Sequence, residues 1–573
     1  MKNTSKLKKL CSINLHAAAE GWFKLPAHYF TTALIFSAVA LSCIYLFLRT
    51  LFIIIGSTVW YETLLASVFL FAELFGFIHS INYLLILRKV HSQEGGQKII
   101  ADSGDFSPET YPPIAIVVPS YHEPLSVLRN TLLCLYNLSY PNKRLYLLDD
   151  SPYDTPWDTP EKMQKYREDL NELCRWIGVN IFRRKWRGAK AGIINDFLQF
   201  RNGAQFEKLE FLNYQTELSD GQEKYIAIFD ADMNPLPDFL EPLIPIMEKD
   251  EKIAFIQTPQ YYTNFERNRV AKAAGLQQVI FFEYICEGKD LKNAVFCCGS
   301  NVLFRIEALL AAGGFDESSI TEDFATSLKL HLEGWSSVYY PKVSAFGKGP
   351  EDLRAYFKQQ FRWAQGTIQL AKQLPKHMLA NYKRLSPGVW WEYIISSTYY
   401  FTGCFFFAMM LFPILFIFFD TPPLFIEPAI YLSILVPYLA LSFYLAVWAL
   451  YRRNYQPYNI LGSIVISAIS FYVYIKAAFC ALIGKKARFE VTPKEKCAPL
   501  PIYDLWPQIG IMLLCTAALV WGANRLYYEN TYFGGILGNM LWCAYNLIVM
   551  SFVLYFNNPE GKQWSEAIHK KKN

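Results

Sequence analysis

The chain has 573 residues, of which 53% are hydrophobic, 17% aromatic and only 18% charged, with a formal net charge of +5. That composition excludes a disordered chain, a collagen-like repeat and a coiled coil. The small charge argues against nucleic-acid binding, and 12 Cys without a CxxC pair, beside 8 unclustered His, argue against a zinc site.

The chain opens on Lys2, Lys6, Lys8 and Lys9 ahead of a polar stretch, which is not the pattern of a signal peptide. Two apolar runs follow, Ala33–Ile55 and Leu64–Leu87, each long enough for the ~20 residues that cross a bilayer. Their connection, Gly56–Glu62, carries no Lys or Arg, whereas Arg88, Lys89 and Lys98 follow the second run. Positive charge marks the cytosolic side, so the N-terminus and the region after Leu87 are expected there.

From Ser92 to Pro350 the composition becomes ordinary. Ile114–Val118, Leu145–Leu148, Tyr225–Phe229 and Ile253–Ile256 read as strands alternating with helical stretches, which predicts a parallel sheet covered by helices. Ligands of such sheets sit at the carboxyl ends of strands. There the sequence places Ser120-Tyr121-His122-Glu123, Asp149-Asp150-Ser151 and Asp230-Ala231-Asp232, with Lys190-Ala191-Gly192-Ile193-Ile194-Asn195 between the last two. No GxGxxG or P-loop pattern accompanies them, so a dinucleotide or P-loop site has no support. Paired carboxylates suit a nucleotide-diphosphate donor. Asp230 and Asp232 are candidate ligands for Mg²⁺ or Mn²⁺ shared with phosphate oxygens, with Lys190 as a further positive charge.

Thr321-Glu322-Asp323 opens a predicted helix over Phe324–Glu333 and offers a carboxylate as general base. Gln359, Arg362 and Trp363 share one helical face, with Arg362 suited to a diphosphate and Trp363 to a sugar ring. The runs Tyr393–Phe419 and Ala429–Tyr451 read as a second membrane hairpin, joined by a loop with Asp420 and Glu427 and no base, and closed by Arg452 and Arg453. Ile509–Leu526 and Phe533–Phe556 form a third, followed by Lys570, Lys571 and Lys572. Were Ile460–Ile483 also a span, Lys485, Lys486, Arg488, Lys494, Lys496 and the tail would lie outside. That segment is therefore predicted to lie at the cytosolic interface, Lys476 on its polar side. Tyr399, Tyr400, Phe401 and Phe405–Phe407 are candidate channel aromatics.

The ordered set Asp149-Asp150, Lys190-Ala-Gly-x-x-Asn195, Asp230-x-Asp232, Phe296-Cys297-Cys298-Gly299-Ser300, Thr321-Glu322-Asp323, Gln359-x-x-Arg362-Trp363 and Phe489-x-Val491-Thr492-x-Lys494 resembles the processive family-two glycosyltransferases. The strongest resemblance is to bacterial cellulose synthase catalytic subunits and related β-glucan synthases, and it runs over residues 30–556. It implies a helical membrane bundle of six spans plus interfacial helices, carrying a cytosolic α/β domain of GT-A type. The implied organisation is a cytosolic segment 1–29, a hairpin 30–87, the GT-A domain 88–350, an interfacial helix 351–384 and a hairpin 385–451. An interfacial helix with a gating loop (452–500), a hairpin (501–557) and a cytosolic tail (558–573) complete it.

The resemblance also implies roles. Asp149 and Asp150 contact the uridine of a UDP-sugar; Lys190, Gln359, Arg362, Thr492 and Lys494 hold the donor; Asp230 and Asp232 hold the metal. Asp323 is the base, with Glu322 and Arg362 completing the catalytic set. Cys298 and Trp363 line the acceptor and channel entrance. The expected reaction inverts the anomeric carbon, turns UDP-glucose into a β-glucan and moves the growing chain across an inner membrane. Membrane lipids and accessory export proteins are the compatible partners. The 17 residues after Phe556 are too few for a PilZ domain.

Four positions depart from the cellulose synthase pattern: Ser120, His122, Ser151 and Gly188 stand where many relatives carry Thr, Asn, Gly and His. Cellulose, β-1,3-glucan and mixed-linkage glucan stay open. So do a hyaluronan-, chitin-, poly-N-acetylglucosamine- or mannan-type synthase, a non-processive lipid glycosyltransferase and a non-catalytic subunit. The vicinal Cys297-Cys298, His122 and His331 call for no metal or redox role.

Overall fold

The computed structural model describes residues 27–56, 59–92, 111–153, 157–187, 190–206, 208–215, 223–266, 268–421, 428–456, 459–485, 499–529 and 533–558. Among these, the central domain is built on eleven strands: β1 (Ile114–Ser120), β2 (Lys143–Asp149), β3 (Asn180–Arg184), β4 (Leu209–Leu212), β5 (Tyr225–Ile228), β6 (Asn234–Pro235), β7 (Ile253–Gln257), β8 (Tyr261–Tyr262), β9 (Val302–Arg305), β10 (Ser336–Tyr339) and β11 (Ala345–Gly347). Eight of them form one sheet in the order β10-β7-β9-β5-β1-β2-β3-β4, and β6-β11-β8 form a small second sheet.

The four foreseen strands are β1, β2, β5 and β7. The expectation of a parallel sheet is corrected, because the sheet is mixed. β1, β2, β3 and β5 pair in parallel, but β9 runs antiparallel between β5 and β7, and β4 closes the far edge antiparallel to β3. The reversal of β9 positions the site. Its start lies at the edge where the parallel strands end, so residues 296–301 arrive there from the opposite chain direction. β1 is buried on both faces, as a strand sandwiched between helices must be. Leu128, Leu132 and Leu170 pack on one side of the sheet, Ile193, Phe197 and Leu330 on the other.

Six helices among the described residues are long and apolar enough to cross a membrane: 29–56, 60–91, 387–419, 429–452, 502–528 and 533–557. The protein is a multi-pass membrane protein. Segment 460–483 is two helices, Asn459–Ile469 and Phe471–Leu482, bent by 49° at Ser470. Helices of 11 and 12 residues rise only about 16–18 Å, short of the ~30 Å hydrocarbon core, although the pair taken together passes as a seventh span. The pair is docked on the soluble part. Gln277 donates to Ser467 Oγ (2.6 Å), Tyr474 donates to Gln360 (3.2 Å), and Gln365 and Lys372 donate to the carbonyls of Lys485 (2.8 Å) and Leu482 (2.9 Å). Lys476 is exposed, its ammonium 5.9 Å from the Phe361 ring centroid.

Candidate active site

Three acidic motifs meet at the carboxyl edge of the sheet. At the end of β2, Asp149 is almost wholly buried. Its carboxylate accepts from Arg183 Nε (2.6 Å) and from the Tyr153 hydroxyl (3.0 Å), and the Ser151 N–H donates to its other oxygen (3.2 Å). Asp150 faces Arg184 at 3.0 Å. Burial pushes its pKa up to about 8; Arg184 opposes this, while Asp149 and Asp196 add to it. Sequence reading missed Arg183 and Arg184. Two arginines ending an otherwise apolar strand were the available signal.

His122 and Ser151, two of the four departures, form one unit. The His122 N–H donates to Ser151 Oγ (3.0 Å), and His122 holds a left-handed φ of 51° while its ring packs against Trp157 and Tyr166. Burial lowers the His122 pKa, so the imidazole is a neutral wall beside Asp149. Another departure, Gly188, lies outside the described residues.

The second corner is built on the Gly299 turn. Lys190, the first residue of the helix Lys190–Arg201, pairs with Asp230 Oδ1 (2.5 Å) and donates to the Gly299 carbonyl. Burial works against its charge, but Asp230 beside it, with Glu322, keeps the ammonium pKa above the ordinary value. Gly299 has φ +85°, and a Cβ there would stand 3.0 Å from Asp323 Oδ2. The turn thus needs glycine twice, for its backbone and for the carboxylate against it. Gln257 and Gln260 clamp the turn. Gln257 accepts from the Cys298 N–H (2.7 Å) and donates to the Ser300 carbonyl (2.9 Å), while Gln260 donates to the Cys298 carbonyl (3.1 Å). Ser300 Oγ accepts from the Asp230 N–H (2.8 Å), tying the Gly299 turn to the Asp230 turn. Neither glutamine was read from sequence, since each is an unremarkable residue at a strand end.

The helix observed at Glu322–Leu332 begins two residues before the predicted one, so Glu322 and Asp323 form its first turn. Asp323 Oδ1 accepts from the Phe324 N–H (2.8 Å). Burial raises the pKa of both carboxyls, Glu322 to about 7 with Asp323 contributing, while Lys190 and Arg362 pull both down. Cys298 lies beside this corner. The Cys286 thiol next to it, then burial, raise its pKa, which leaves a neutral thiol and no nucleophile. His331, on the same helix, is a buried core residue bonded to Tyr393 (2.8 Å) and Ser337 (2.9 Å), and burial lowers its pKa to about 4.

Gln359, Arg362 and Trp363 lie on the long helix Leu353–Asn381 that runs under the domain. Arg362 acts electrostatically on Glu322 and Asp323. Gln359 Oε1 is buried without a hydrogen-bond partner among the described residues, and Trp363 is half-buried. The helix reaches the turn before Glu322 and Asp323 at Gly366, where an added Cβ would sit 2.6 Å from Thr321 Cγ2 and 3.0 Å from the Thr321 nitrogen. Of the candidate channel aromatics, Tyr399–Phe401 form a 3₁₀ turn that breaks the third span, Tyr400 packs on Tyr474 (5.3 Å) and Phe407 stacks on Phe471 (6.0 Å). Thr492 and Lys494 lie outside the described residues.

The Asp230 and Asp232 carboxylates fit a divalent ion brought in with a diphosphate. Asp230 is 44% exposed and Asp232 half-buried, and among the described residues no group of three His, Cys, Asp or Glu could hold a metal ion unaided. Two hard oxygen ligands leave coordination positions for phosphate oxygens.

Residues 115–311 match the family described as Glycosyl transferase family 2, and residues 225–451 match Glycosyl transferase family group 2. Both matches fall on the part of the chain that holds the site. The chain is 26% identical over 461 residues to the cellulose synthase catalytic subunit [UDP-forming] of Pseudomonas fluorescens (strain SBW25), an alignment covering 78% of this chain and 56% of the relative. It is 29% identical over 344 residues to the enzyme of that name from Xanthomonas axonopodis pv. citri (strain 306), covering 58% of this chain and 41% of the relative. The chain thus spans about half the length of these curated relatives. Among solved structures, a mannosyltransferase from Pyrobaculum calidifontis in complex with GDP-Man and Mn²⁺ aligns with a TM-score of 0.43 at 16% identity, covering 74% of this chain and all of that one.

Proposed function

We propose that the chain is a processive, inverting membrane glycosyltransferase that polymerises glucose from UDP-glucose into a β-glucan and passes the product through its spans. One observation carries the reading: Lys190–Asp230 and Asp323 converge on the two sides of the Gly299 turn, a cation beside the metal-type carboxylates and a base-type carboxylate facing them.

In this reading Asp149 and Asp150 take the uridine. Lys190, Arg362 and Gln359 face the diphosphate, and Thr492 and Lys494 close over it. Asp230 and Asp232 would hold Mg²⁺ or Mn²⁺, which when bound offsets the charge of the leaving diphosphate. The acceptor hydroxyl sits against Asp323, which takes its proton as the oxygen attacks the anomeric carbon opposite the diphosphate. Attack on that face turns an α-linked donor into a β-linked product. A carboxyl whose pKa burial has raised is a better-matched base near neutrality than an ordinary aspartate. Trp363 offers a ring face to the sugar behind the acceptor end, near Cys298, and Glu322 keeps the corner acidic. The termini and the transferase domain, residues 88–350, lie on the cytosolic side, flanked by hairpins at 30–87, 385–451 and 501–557.

Membranes carrying the chain, given UDP-glucose, UDP-N-acetylglucosamine or GDP-mannose in turn with Mg²⁺ or Mn²⁺, test this. Insoluble product from UDP-glucose alone, cut by a linkage-specific endoglucanase and lost on adding a chelator, is the expected result. Product from another donor moves the chain to a chitin-, hyaluronan- or mannan-type reaction. A single sugar on lipid removes processivity.

A further inference from the structure

Asn195 closes the Lys190-Ala-Gly-x-x-Asn motif, yet nothing in the proposed reaction uses it. It is 7% exposed and points away from the donor, toward the chain that leads into Glu322. Its side-chain oxygen accepts from the Phe315 N–H (2.7 Å), and its amide donates to the Phe315 carbonyl (3.0 Å) and to Glu317 Oε1 (2.8 Å). Gly314, with φ +81°, comes so close that a Cβ would sit 2.5 Å from Asn195 Oδ1. The turn before the catalytic helix is thus moulded on this one side chain.

Glu317 is also clasped by Arg187 through both carboxylate oxygens (2.6 and 3.1 Å). Arg187 in turn holds Asp196 through two bonds (3.0 and 2.7 Å). Asp196 is shared with Arg184 (2.7 Å), and Arg184 faces Asp150 (3.0 Å). An unbroken chain of charges therefore runs Asp150–Arg184–Asp196–Arg187–Glu317, from the end of β2 to the turn that carries Glu322 and Asp323. Asp150, Arg184 and Asp196 are buried, where attraction between charges is least screened, and the two-point contacts of Arg187 to Asp196 and Glu317 have the geometry to transmit a displacement.

We propose that Asn195, Arg187 and Glu317 are positioning residues that set the Glu322–Asp323 turn, and that Asp196 couples this setting to Asp150, so that donor occupancy and base placement depend on each other. This rests on the reading of Asp150 as a donor contact and Asp323 as the base. It adds a coupling that neither role contains.

The test uses the full chain in detergent-solubilised membranes, with UDP-glucose as donor, UDP release as the rate and UDP affinity measured separately by titration calorimetry. Glu317 is 39% exposed, so Glu317→Gln strands no buried charge, while Arg187→Gln leaves the buried Asp196 to Arg184 at 2.7 Å. Glu317→Gln is expected to lower kcat about tenfold, as a small misplacement of a base does, and, because coupling is reciprocal, to weaken UDP affinity about threefold. Asp196→Asn is expected to lower kcat and raise KM together. The double variant is expected to lose no more than about twofold beyond Asp196→Asn alone, because the two changes cut one chain. Arg187→Gln, which cuts it independently, is expected to behave as Glu317→Gln does. Unchanged kcat in Glu317→Gln and Arg187→Gln, a loss confined to KM, or multiplicative losses in the double variant overturns the coupling while leaving the transferase reading intact. A wild-type chain that releases no UDP from any donor overturns that reading and the coupling with it.

Discussion

Two vicinal acidic pairs serve the site, and they are held in different ways. Asp149 and Asp150 each meet a guanidinium directly, Arg183 at 2.6 Å and Arg184 at 3.0 Å. Around Glu322 and Asp323 the hold is different: Asp323 Oδ1 accepts from the Phe324 N–H, Lys190 and Arg362 attract both carboxyls, and Lys190 is committed to Asp230. Burial raises the pKa of Asp150 as it raises that of Glu322 and Asp323. A donor pocket gains from carboxylates that stay still. A base has to change protonation each cycle, and a tight guanidinium contact would hold its proton affinity down.

The largest break of this contrast is Asp323→Asn, which keeps the shape and removes the proposed base. Transfer is expected to fall by about 10³-fold while UDP affinity stays unchanged, measured by UDP release and calorimetry. Arg183→Leu breaks the other pair and leaves Asp149 buried without its cation. The expected cost is about 3–5 kcal/mol of stability, read as a lower melting temperature of the solubilised chain.

A smaller effect separates stability from activity. Glu322 binds its proton more tightly in the folded state, with a pKa of about 7, than in the unfolded chain. Its contribution to stability is therefore largest below the ordinary glutamate range and declines as pH rises toward about 7. Activity should instead rise with pH, because in the proposed reaction Asp323 works only when deprotonated and burial raises its pKa. Glu322→Gln should flatten the stability slope in a thermal-melt series across pH. The smallest effect is expected from Ser151→Gly, which removes only the acceptor of the His122 N–H, at a cost of about 1 kcal/mol and a modest rise in donor KM.

The membrane helices were legible because apolar runs of such length have few other uses. The four central strands were legible because β-branched and apolar residues in short runs do not suit helices. β9 was not: Val302–Arg305 is four residues long, and nothing in it tells an antiparallel strand from a parallel one. That reversal brings Cys298, Gly299 and Ser300 to the site, so their motif was recognisable while the reason for its position was not. The same limit hid Arg183, Arg184 and Gln257. Each acts through a contact made across the sheet, and local spacing carries no trace of a partner dozens of residues away. Asp149, Lys190, Asp230 and Asp323 stood out because strand ends and helix starts concentrate them in short patterns.

Gly366 carries a mechanical consequence. With no room for even a methyl group between the long helix and Thr321, the helix cannot advance or roll past the catalytic turn in that direction. The same helix is fastened to the bent pair beneath it through Gln360, Gln365 and Lys372. In the proposed reaction, chemistry and exit path are thus bolted to one beam, and in a cycle that lengthens a polymer by one unit the stroke belongs to the polymer, which slides past a fixed frame.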